Sequence, residues 1–334
     1  MANIPTNFAK IFTRNRYKRP RHIEYLEKKL VQVYNGEIDR LIITMPPRHG
    51  KSELTSKYFP AWWLLNNPAA RIILVSYESQ FASRWSMAAK EIYRRFRPGD
   101  MLKIDQQDYW LTPAGGFMNA IGVGGAITGK GADLIIVDDP VKNDEQALSG
   151  TYRNKTFSFF NSTLYTRLEP GGRIVIIQTR WHKDDLAGRL LEAAQSGDGD
   201  KWDVVNLPAI ADGDCVLGRE AGEALWPERF SLENIDKIKK QLGSYWFSAL
   251  YQQDPISGEH QIINPDLWQY YSPDMIDEKP YIIQVWDTAF KSGEMNDYTA
   301  CTTWICNRFG FFLIDLFHGK PAYPELKKQL EIQY

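Results

Sequence analysis

The sequence contains few cysteines, few histidines and no long apolar run, and each absence removes a class of protein from consideration. Its three cysteines, Cys215, Cys301 and Cys306, are too few and too scattered for a disulfide framework or a cysteine-based zinc site. None of the five histidines forms an H-x-x-x-H ligand pair. No apolar run has membrane-spanning length, and the N-terminus lacks the apolar core of a secretory signal. We therefore expect a protein of the cytoplasm without a membrane segment.

An excess of positive charge is also lacking. The chain has 40 Lys and Arg residues against 41 Asp and Glu residues, so the overall balance gives no support for nucleic-acid binding and leaves a local basic face open. One basic run, at residues 14–21, is either an arm that binds a nucleic-acid backbone or a solvated segment ahead of a helix over residues 23–33, and we favour the second. The length of 334 residues favours two domains.

An apolar strand that runs directly into a Lys-Ser pair predicts a phosphate-binding loop. The strand is residues 41–45, and Pro-Pro-Arg-His-Gly-Lys-Ser follows at residues 46–52. Amides between a buried strand and a helix start can point at a polyphosphate, and the helix dipole adds positive charge. The match to G-x-x-x-x-G-K-[ST] is incomplete, because Met45 stands where the first glycine belongs. We predict that ATP binds here, with Lys51 on the outer phosphates and Ser52 on Mg²⁺; the full predicted set is Arg48, His49, Gly50, Lys51 and Ser52.

A second apolar run ends in two adjacent carboxylates. Residues 134–137 are the continuous apolar run expected for a strand buried on both faces, and Asp138 and Asp139 follow it. In P-loop ATPases the first such acid holds Mg²⁺ and the next residue, usually Glu, polarises the attacking water. We predict these roles for Asp138 and Asp139. Either motif alone also fits a plain strand with a polar turn, but their order within one α/β pattern favours an ATPase.

Two further segments lie between and after these motifs. Residues 81, 85, 88, 92 and 96 (Phe, Trp, Ala, Ile, Phe) recur at helical spacing after a buried strand and are predicted to be core. A third buried strand, over residues 172–179, ends in Thr179 and is followed by Arg180. If it neighbours the strand of Asp138, its end lies beside the acids, where a polar residue can sense the γ-phosphate.

Residues 117–131 are rich in glycine, which allows close approach to a ligand or partner. Lys130, eight residues before Asp138, has two interpretations. It is either an exposed loop lysine or a cation donated to a neighbouring subunit's phosphate, by analogy with an arginine finger.

The C-terminal part predicts a separate, smaller domain. After a helix over residues 232–251, a loop-like stretch begins at Asp254. A strand over residues 281–286 then ends in Asp287, followed by a polar loop with Asp297, a hairpin with strands 299–306 and 311–317, and a helix over 323–333. By itself an acid at a strand end is more often a turn residue. We predict domains at residues 1–252 and 276–334, joined by a linker over 253–275.

Six segments in this order resemble the large terminase subunit of tailed bacteriophages and prophages, the motor that packages DNA into capsids. They are MPPRHGKSE, LVSY, GADLIIVDDP, QTRWHKDDLAGRL, LWPERF and ALYQQDP. The resemblance covers nearly the whole chain. It implies an α/β fold, in which a P-loop NTPase with a mainly parallel sheet precedes an RNase H-like nuclease domain. It supports the roles given above to the phosphate loop and the two acids, and it implies ATPase coupling by Thr179 and Arg180.

The resemblance also implies partners and cofactors. These are double-stranded DNA gripped through its phosphates, a portal protein or procapsid, a small terminase subunit, a homo-oligomeric ring, ATP with Mg²⁺, and Mg²⁺ or Mn²⁺ at the nuclease site. Many relatives carry an arginine just before the glycine that corresponds to Gly129, where this chain has Thr128, so Lys130 or Arg48 is expected to replace that finger. In the family the segment before the phosphate loop often contributes to the adenine pocket, which suggests His22 or Tyr25.

For the second domain, the resemblance identifies Asp287 as the first ligand of a two-metal site, with Asp297 as a weaker neighbour. Family members supply further acids from elements that follow the hairpin and a helix, and here the predicted helix over 323–333 reaches the end of the chain. We therefore expect an incomplete nuclease domain that cuts DNA poorly.

Two other functions remain open from sequence. A helicase-like, DNA-dependent ATPase shares both ATPase motifs, but it requires a second RecA-like domain, for which the length after Tyr251 is too small. A non-catalytic prophage remnant, or a scaffold that binds capsid or small subunit, predicts no hydrolysis.

Overall fold

A computed structural model of the chain describes residues 4–127, 129–213, 215–255, 269–272, 275–276, 281–288, 299–319 and 321–333. The chain divides into two compact units, Met1–His260 and Gln261–Tyr334. Within the described residues, no helix combines the length and the apolar character needed to cross a bilayer.

The first unit alternates strands and helices. Its strands are β1 Arg40–Thr44, β2 Arg71–Ser76, β3 Ile104–Asp105, β4 Tyr109–Leu111, β5 Phe117–Gly122, β6 Ala132–Asp138, β7 Leu168–Gln178 and β8 Asp203–Asn206. Its α-helices are α1 Pro5–Phe12, α2 Arg21–Asn35, α3 Phe59–Asn66, α4 Ser79–Phe96, α5 Asp144–Leu148, α6 Gly150–Phe159, α7 Leu186–Ser196 and α8 Leu232–Leu250. A π-helical segment, Glu53–Tyr58, leads into α3, and a second one, Phe160–Leu164, follows α6 and continues into a 3₁₀ turn, Tyr165–Arg167.

The eight strands form one sheet in the order β3-β4-β5-β2-β6-β7-β1-β8. In the order of the sheet, the six strands β5, β2, β6, β7, β1 and β8 pair in parallel. The hairpin of β3 and β4 adds two antiparallel strands at the β5 edge. Parallel strands need crossovers, and the helices between them supply these connections on both faces. The mainly parallel α/β fold predicted from the sequence is confirmed.

Each central strand is buried on both faces, which explains the continuous apolar runs. Leu41 and Ile43 of β1 pack with the helices α2, α3 and α4, whereas Ile42 packs with α6 and α7 on the opposite side. Neighbouring strands repeat this alternation, because side chains along a strand point to opposite faces. The unit is therefore a three-layer structure with the sheet in the middle.

Local sequence signals set the helix ends. In α2, apolar residues three or four apart are buried, and the helix ends at Gly36, whose φ of 78° suits a residue without a Cβ. The Asp185 side chain accepts a hydrogen bond from the Gly188 N–H and caps α7. The long helix α8 is interrupted at Gly243, which has φ 77° and ψ 169°. The last turns of α8 are thus a separate helical piece.

The structure locates the glycine-rich stretch and corrects the predicted core stripe of α4. The glycine-rich stretch begins with the buried strand β5, because residues 117–122 pair along β2, and only the part after it is a loop. In α4 the most deeply buried apolar residues are Ala82, Ala89, Ile92 and Tyr93, and the predicted stripe of residues 81, 85, 88 and 96 is only half-buried. Phe81 and Trp85 instead line a cavity.

The second unit contains β9 Tyr281–Asp287, β10 Thr299–Asn307, β11 Gly310–Gly319 and the helix α9 Tyr323–Gln333. The three strands form an antiparallel sheet with β10 in the centre. The turn between β10 and β11 is short, and Gly310 takes a φ of 141° that favours glycine. The predicted strand, hairpin and helix are all present.

Candidate functional site

The phosphate-loop motif lies between β1 and a helix that starts at Lys51. The loop turns sharply at Gly50, with φ 89°, and a Cβ at this position would come within 3.1 Å of the Ile23 side chain. Met45 is fully buried in the core under the loop. A side chain at the first glycine position is therefore accommodated, because it points away from the loop opening into the core.

A cavity of about 590 Å³ opens in front of this loop. Three strands end beside it: β7 lies between β1 and β6, with Thr44 paired to Gln178 and Asp138 paired to Ile177. The strand that precedes Thr179 is thus the neighbour of the strand of the acids, which is the condition under which Thr179 was expected to lie beside them. The residues that line the cavity are Pro47, Arg48, Gly50, Lys51, Ser52, Glu53, Tyr77, Phe81, Trp85, Asp139, Val141, Lys142, Thr179, Trp181 and Arg229.

Lys51 has two partners at the cavity wall. Its Nζ donates to the Thr179 hydroxyl at 2.5 Å and forms an ion pair with Asp139 Oδ2 at 3.0 Å. The Thr179 N–H donates to the other oxygen of Asp139 at 2.8 Å. The three residues form a closed triangle of contacts, in which the Lys51 side chain is 6% exposed. A negative phosphate that reaches Lys51 would compete with this carboxylate for the ammonium charge.

The backbone of Asp139 has an unusual conformation with φ 43°. Its N–H donates to the carbonyl of Ile177, and its own carbonyl accepts from the N–H of Tyr77. These bonds to both neighbouring strands hold a conformation that costs a non-glycine residue about 1–3 kcal/mol. Strain of this kind is concentrated at functional sites, and Arg48, with φ 62°, is a second example at the same cavity.

Asp138 lies below the cavity and is fully buried. The Ser52 hydroxyl donates to its Oδ1 at 2.8 Å, and the Ser56 hydroxyl donates to its Oδ2 at 2.7 Å. Burial, followed by the negative charge of Asp139, raises the pKa of Asp138 above its ordinary value. A nearby cation would reverse this effect by stabilising the carboxylate.

The donor set around Ser52 and Asp138 fits Mg²⁺. A hydroxyl and a carboxylate oxygen lie 2.8 Å apart beside the phosphate loop. Mg²⁺ prefers oxygen ligands and commonly takes one or two from the protein, with waters and substrate phosphates completing its shell. Among the residues that the structure describes, no cluster of three or more Asp, Glu, His or Cys side chains is arranged to hold a metal. Such a cluster is not needed for a cation shared with a nucleotide.

Arg180 does not line the cavity. Its guanidinium Nε donates to Asp185 at 2.8 Å, and Asp185 is itself buried as the cap of α7. The backbone N–H of Arg180 donates to Gln253 Oε1 at 3.1 Å. The two residues predicted to couple hydrolysis therefore have different partners. Thr179 contacts Lys51, while Arg180 binds elements behind the cavity.

His49 and Arg48, both predicted to bind phosphate, also lie in different environments. The His49 ring is fully buried, stacks on Phe230 with ring centres 4.6 Å apart, and bonds to the Pro47 carbonyl through Nδ1. Burial lowers the pKa of His49 to about 4. His49 can therefore contribute to phosphate binding through its backbone only, whereas Arg48 lines the cavity.

The expectation for the adenine pocket is not supported. His22 is fully buried and its Nε2 bonds to the His49 carbonyl at 2.9 Å, so its side chain supports the loop from inside. Burial lowers the pKa of His22 to about 4. Tyr25 lines a different groove, on the outer side of α2.

Lys130 lies outside the cavity. Its ammonium group is 3.5 Å from the centre of the Tyr109 ring, a cation–π contact at the edge hairpin. Thr128 lies outside the described residues. The proposed role in a neighbouring subunit stays a prediction.

In the second unit, Asp287 is an exposed residue at the end of β9, and Asp297 lies outside the described residues. Asp287 pairs with Ala300 of β10, and Asp315 of β11 pairs with Thr303. Because Ala300 and Thr303 are three residues apart along one strand, their side chains point to opposite faces. The two acids in the strands of this sheet are thus on opposite faces.

Sequence reasoning missed several residues of the site. Ser56 follows Ser52 by four residues on the first helical turns, and the S-x-x-x-S spacing is a signal that was available. Trp181 and Arg229 line the cavity from segments that follow β7 and precede α8. Nothing local in the sequence indicates that these two segments meet.

Residues 42–250 match the family model described as "Terminase large subunit, T4likevirus-type, N-terminal". No curated protein matches the sequence.

Three solved structures are similar in fold. The large terminase of bacteriophage HK97 is 14% identical, with a TM-score of 0.47 over 91% of this chain and 64% of that one. The large terminase of a thermophilic bacteriophage, in complex with ADP, is 10% identical, with a TM-score of 0.42 over 91% and 72%. The ATPase domain of the Thermus phage P74-26 large terminase is 14% identical, with a TM-score of 0.47 over 68% and 92%. The chain spans 64% of the length of the HK97 protein.

Proposed function

The chain belongs to the family of large terminase subunits of the T4likevirus type, and on this basis we propose that it is an ATP-hydrolysing motor that drives double-stranded DNA into a viral procapsid. The observation that carries the proposal is the arrangement at the carboxyl ends of β1, β6 and β7. There Lys51 contacts Asp139 and Thr179, while Ser52 contacts Asp138. The cation, the candidate metal ligands and the candidate base thus lie at one cavity or directly below it.

The contacts suggest an order of events. The γ-phosphate of ATP takes the place of the Asp139 carboxylate at Lys51, since both are anions that compete for one ammonium group. Asp139, released from Lys51, is then free to orient and deprotonate the attacking water. Thr179 contacts both residues and is therefore the group that senses whether the phosphate is present.

The Mg²⁺ cofactor would be held by Ser52 and Asp138. When bound, it supplies positive charge that stabilises the charge developing on the transferred phosphoryl group. Asp138 must be ionised for this role. Its two serine hydrogen bonds orient the carboxylate before any cation arrives.

The partners of the motor follow from the same proposal. We infer that DNA is gripped through its phosphates, so that its affinity falls as the salt concentration rises. A portal protein or procapsid, a small terminase subunit and a homo-oligomeric ring in the cytoplasm of a bacterial host complete the assembly.

We also propose that the second unit belongs to an RNase H-like, metal-dependent endonuclease domain. The support is the order of elements, in which Asp287 ends β9, a hairpin of β10 and β11 follows, and α9 comes next. Asp287 is the candidate first metal ligand.

Phosphate release by wild type and Lys51→Ala, with and without double-stranded DNA, tests the motor. We expect hydrolysis by the wild type that DNA stimulates and that Lys51→Ala lacks. A wild type without hydrolysis in either condition would favour the scaffold or remnant alternative. Unwinding of a DNA duplex, measured as release of a labelled strand, would instead favour the helicase-like alternative.

A further inference from the structure

Gln253 connects the candidate nucleotide site to the end of α8. Its Oε1 accepts a hydrogen bond from the Arg180 N–H at 3.1 Å, and its Nε2 donates to the Leu250 carbonyl at 2.5 Å. The residue is 3% exposed. One buried amide thus joins the segment after β7 to the last turn of α8.

Arg180 is separated from Thr179 by a single peptide bond. Because a peptide unit is planar and stiff, a movement of Thr179 carries the Arg180 N–H with it. Thr179 itself contacts Lys51 and Asp139. A change in the Lys51–Asp139 pair therefore moves the Arg180 N–H, which donates the hydrogen bond to Gln253.

A second contact joins the same two segments. Trp181 lines the cavity and meets the Trp246 ring of α8 edge to face, with ring centres 5.7 Å apart. Trp246 follows the interruption at Gly243, where φ is 77°. Residues 244–250 can therefore change direction at Gly243 without bending the first part of α8.

The backbone of Gln253 is itself strained, with φ 59°. The described residues include five non-glycine residues with positive φ, and two of the others, Arg48 and Asp139, line the cavity. Such conformations persist only where surrounding contacts enforce them, and they cluster at functional sites. Gln253 thus has the same kind of strained backbone as Arg48 and Asp139, although Gln253 lies behind the cavity.

We propose that Gln253 is a positioning residue for ATP hydrolysis, which couples the state of Thr179 to the direction of the last turns of α8. The inference rests on the proposed ATPase function. Occupation of Lys51 by phosphate shifts Thr179, the shift passes through the Arg180 N–H to Gln253, and residues 244–250 turn about Gly243. Conversely, holding α8 in place holds Thr179 in the position that hydrolysis needs.

Gln252 provides a matched control. Its amide also makes two hydrogen bonds, both of 3.0 Å, to the N–H and the carbonyl of Ile210. It leaves the same end of α8 but binds a loop away from Thr179. Replacement of either glutamine by methionine keeps side-chain length and removes both hydrogen bonds.

The test compares Gln253→Met with Gln252→Met. For Gln253→Met we expect kcat to fall about tenfold while KM for ATP stays within about twofold, the split expected when positioning and not ground-state binding is lost. Gln252→Met should leave both constants near wild type. Hydrogen exchange at residues 244–250 should respond to a non-hydrolysable ATP analogue in wild type and Gln252→Met, and not in Gln253→Met.

Three results would overturn the inference: an equal loss of kcat in both variants, an effect of Gln253→Met on KM alone, or a nucleotide response of residues 244–250 that survives Gln253→Met. A wild type that binds the analogue without hydrolysing ATP would contradict the proposed motor, and the exchange measurement would still decide the coupling. A wild type that binds no nucleotide overturns both.

Discussion

Lys51 and Asp139, the predicted phosphate-binding cation and the predicted base, are bound to each other by an ion pair of 3.0 Å. The pair stabilises two charges that would otherwise be poorly solvated in the cavity wall. It also makes the two roles interdependent, because a phosphate at Lys51 would compete with Asp139 for the same ammonium group. Substitution of either residue must therefore change the environment of the other.

The first prediction separates binding from chemistry. Lys51→Ala should abolish hydrolysis, because it removes the cation that offsets the γ-phosphate charge. Asp139→Asn should bind ATP at least as well as wild type, since its neutral amide competes less for Lys51, while kcat falls by about 100-fold or more with the loss of the base. Calorimetric titration with a non-hydrolysable analogue and steady-state phosphate release measure the two effects.

Glu53→Gln is the matched control, because Glu53 is another acid of the same cavity. It should retain hydrolysis. If Asp139→Asn hydrolysed ATP at the wild-type rate, the base assignment would be wrong, and Glu53 or Asp144 would be the next candidates.

The second prediction concerns Thr179, whose hydroxyl and amide contact Lys51 and Asp139 from the end of β7. Thr179→Ala should keep ATP affinity within about twofold of wild type and lower kcat, whereas Thr179→Ser, which retains the hydroxyl, should restore most of the rate. The same titration and phosphate-release assays apply. A loss of affinity as large as that of Lys51→Ala would make Thr179 a binding residue.

Strong local patterns made much of the site predictable from sequence. The strand ahead of Lys51 and the strand ahead of Asp138 are continuous apolar runs, which fixed their burial in a parallel sheet, and parallel strands bring their carboxyl ends to one edge. Thr179 followed from the same reasoning. That reasoning placed Thr179 beside the acids on the condition that β7 neighbours β6. In the sheet, β7 pairs with β6 on one side and with β1 on the other.

The remaining contacts depend on tertiary packing. Phe81 and Trp85 have the helical spacing of core residues, and only the path of α4 along the cavity distinguishes their role. Arg229 and Gln253 lie in segments that approach the site from far along the chain. The spacing of apolar residues and the turn residues do not indicate that these segments reach the site. Their contacts with the site depend on how α8 packs.

The third prediction concerns pH. Burial lowers the pKa of His22 to about 4 from an ordinary value near 6.5, so between these values the unfolded chain binds a proton that the folded chain does not. Stability is thus fully present above about pH 6.5 and is lost as the pH falls toward 4. Between about pH 7.5 and pH 5.5, wild type should lose about 1 kcal/mol more free energy of unfolding than His22→Gln, which cannot titrate.

Urea unfolding at the two pH values measures this difference. His49, whose pKa is lowered mainly by burial and also by the charge of His22, remains in both proteins and adds to the loss of stability in each. Equal losses for wild type and His22→Gln would show that His22 is accessible to protons in the folded state.

The last prediction concerns the second unit. Asp287 and Asp315 point to opposite faces of the sheet formed by β9, β10 and β11, because their partners Ala300 and Thr303 are three residues apart. Two metal ions need several carboxylates that converge on one point, and within these three strands Asp287 has no second acid on its face. Supercoiled plasmid incubated with the protein and Mn²⁺ should therefore be nicked slowly or not at all, and Asp315→Ala should change nothing. Efficient nicking that Asp287→Ala abolishes and Asp315→Ala leaves intact would show instead that Asp287 works with acids outside these strands, Asp297 being the first to test.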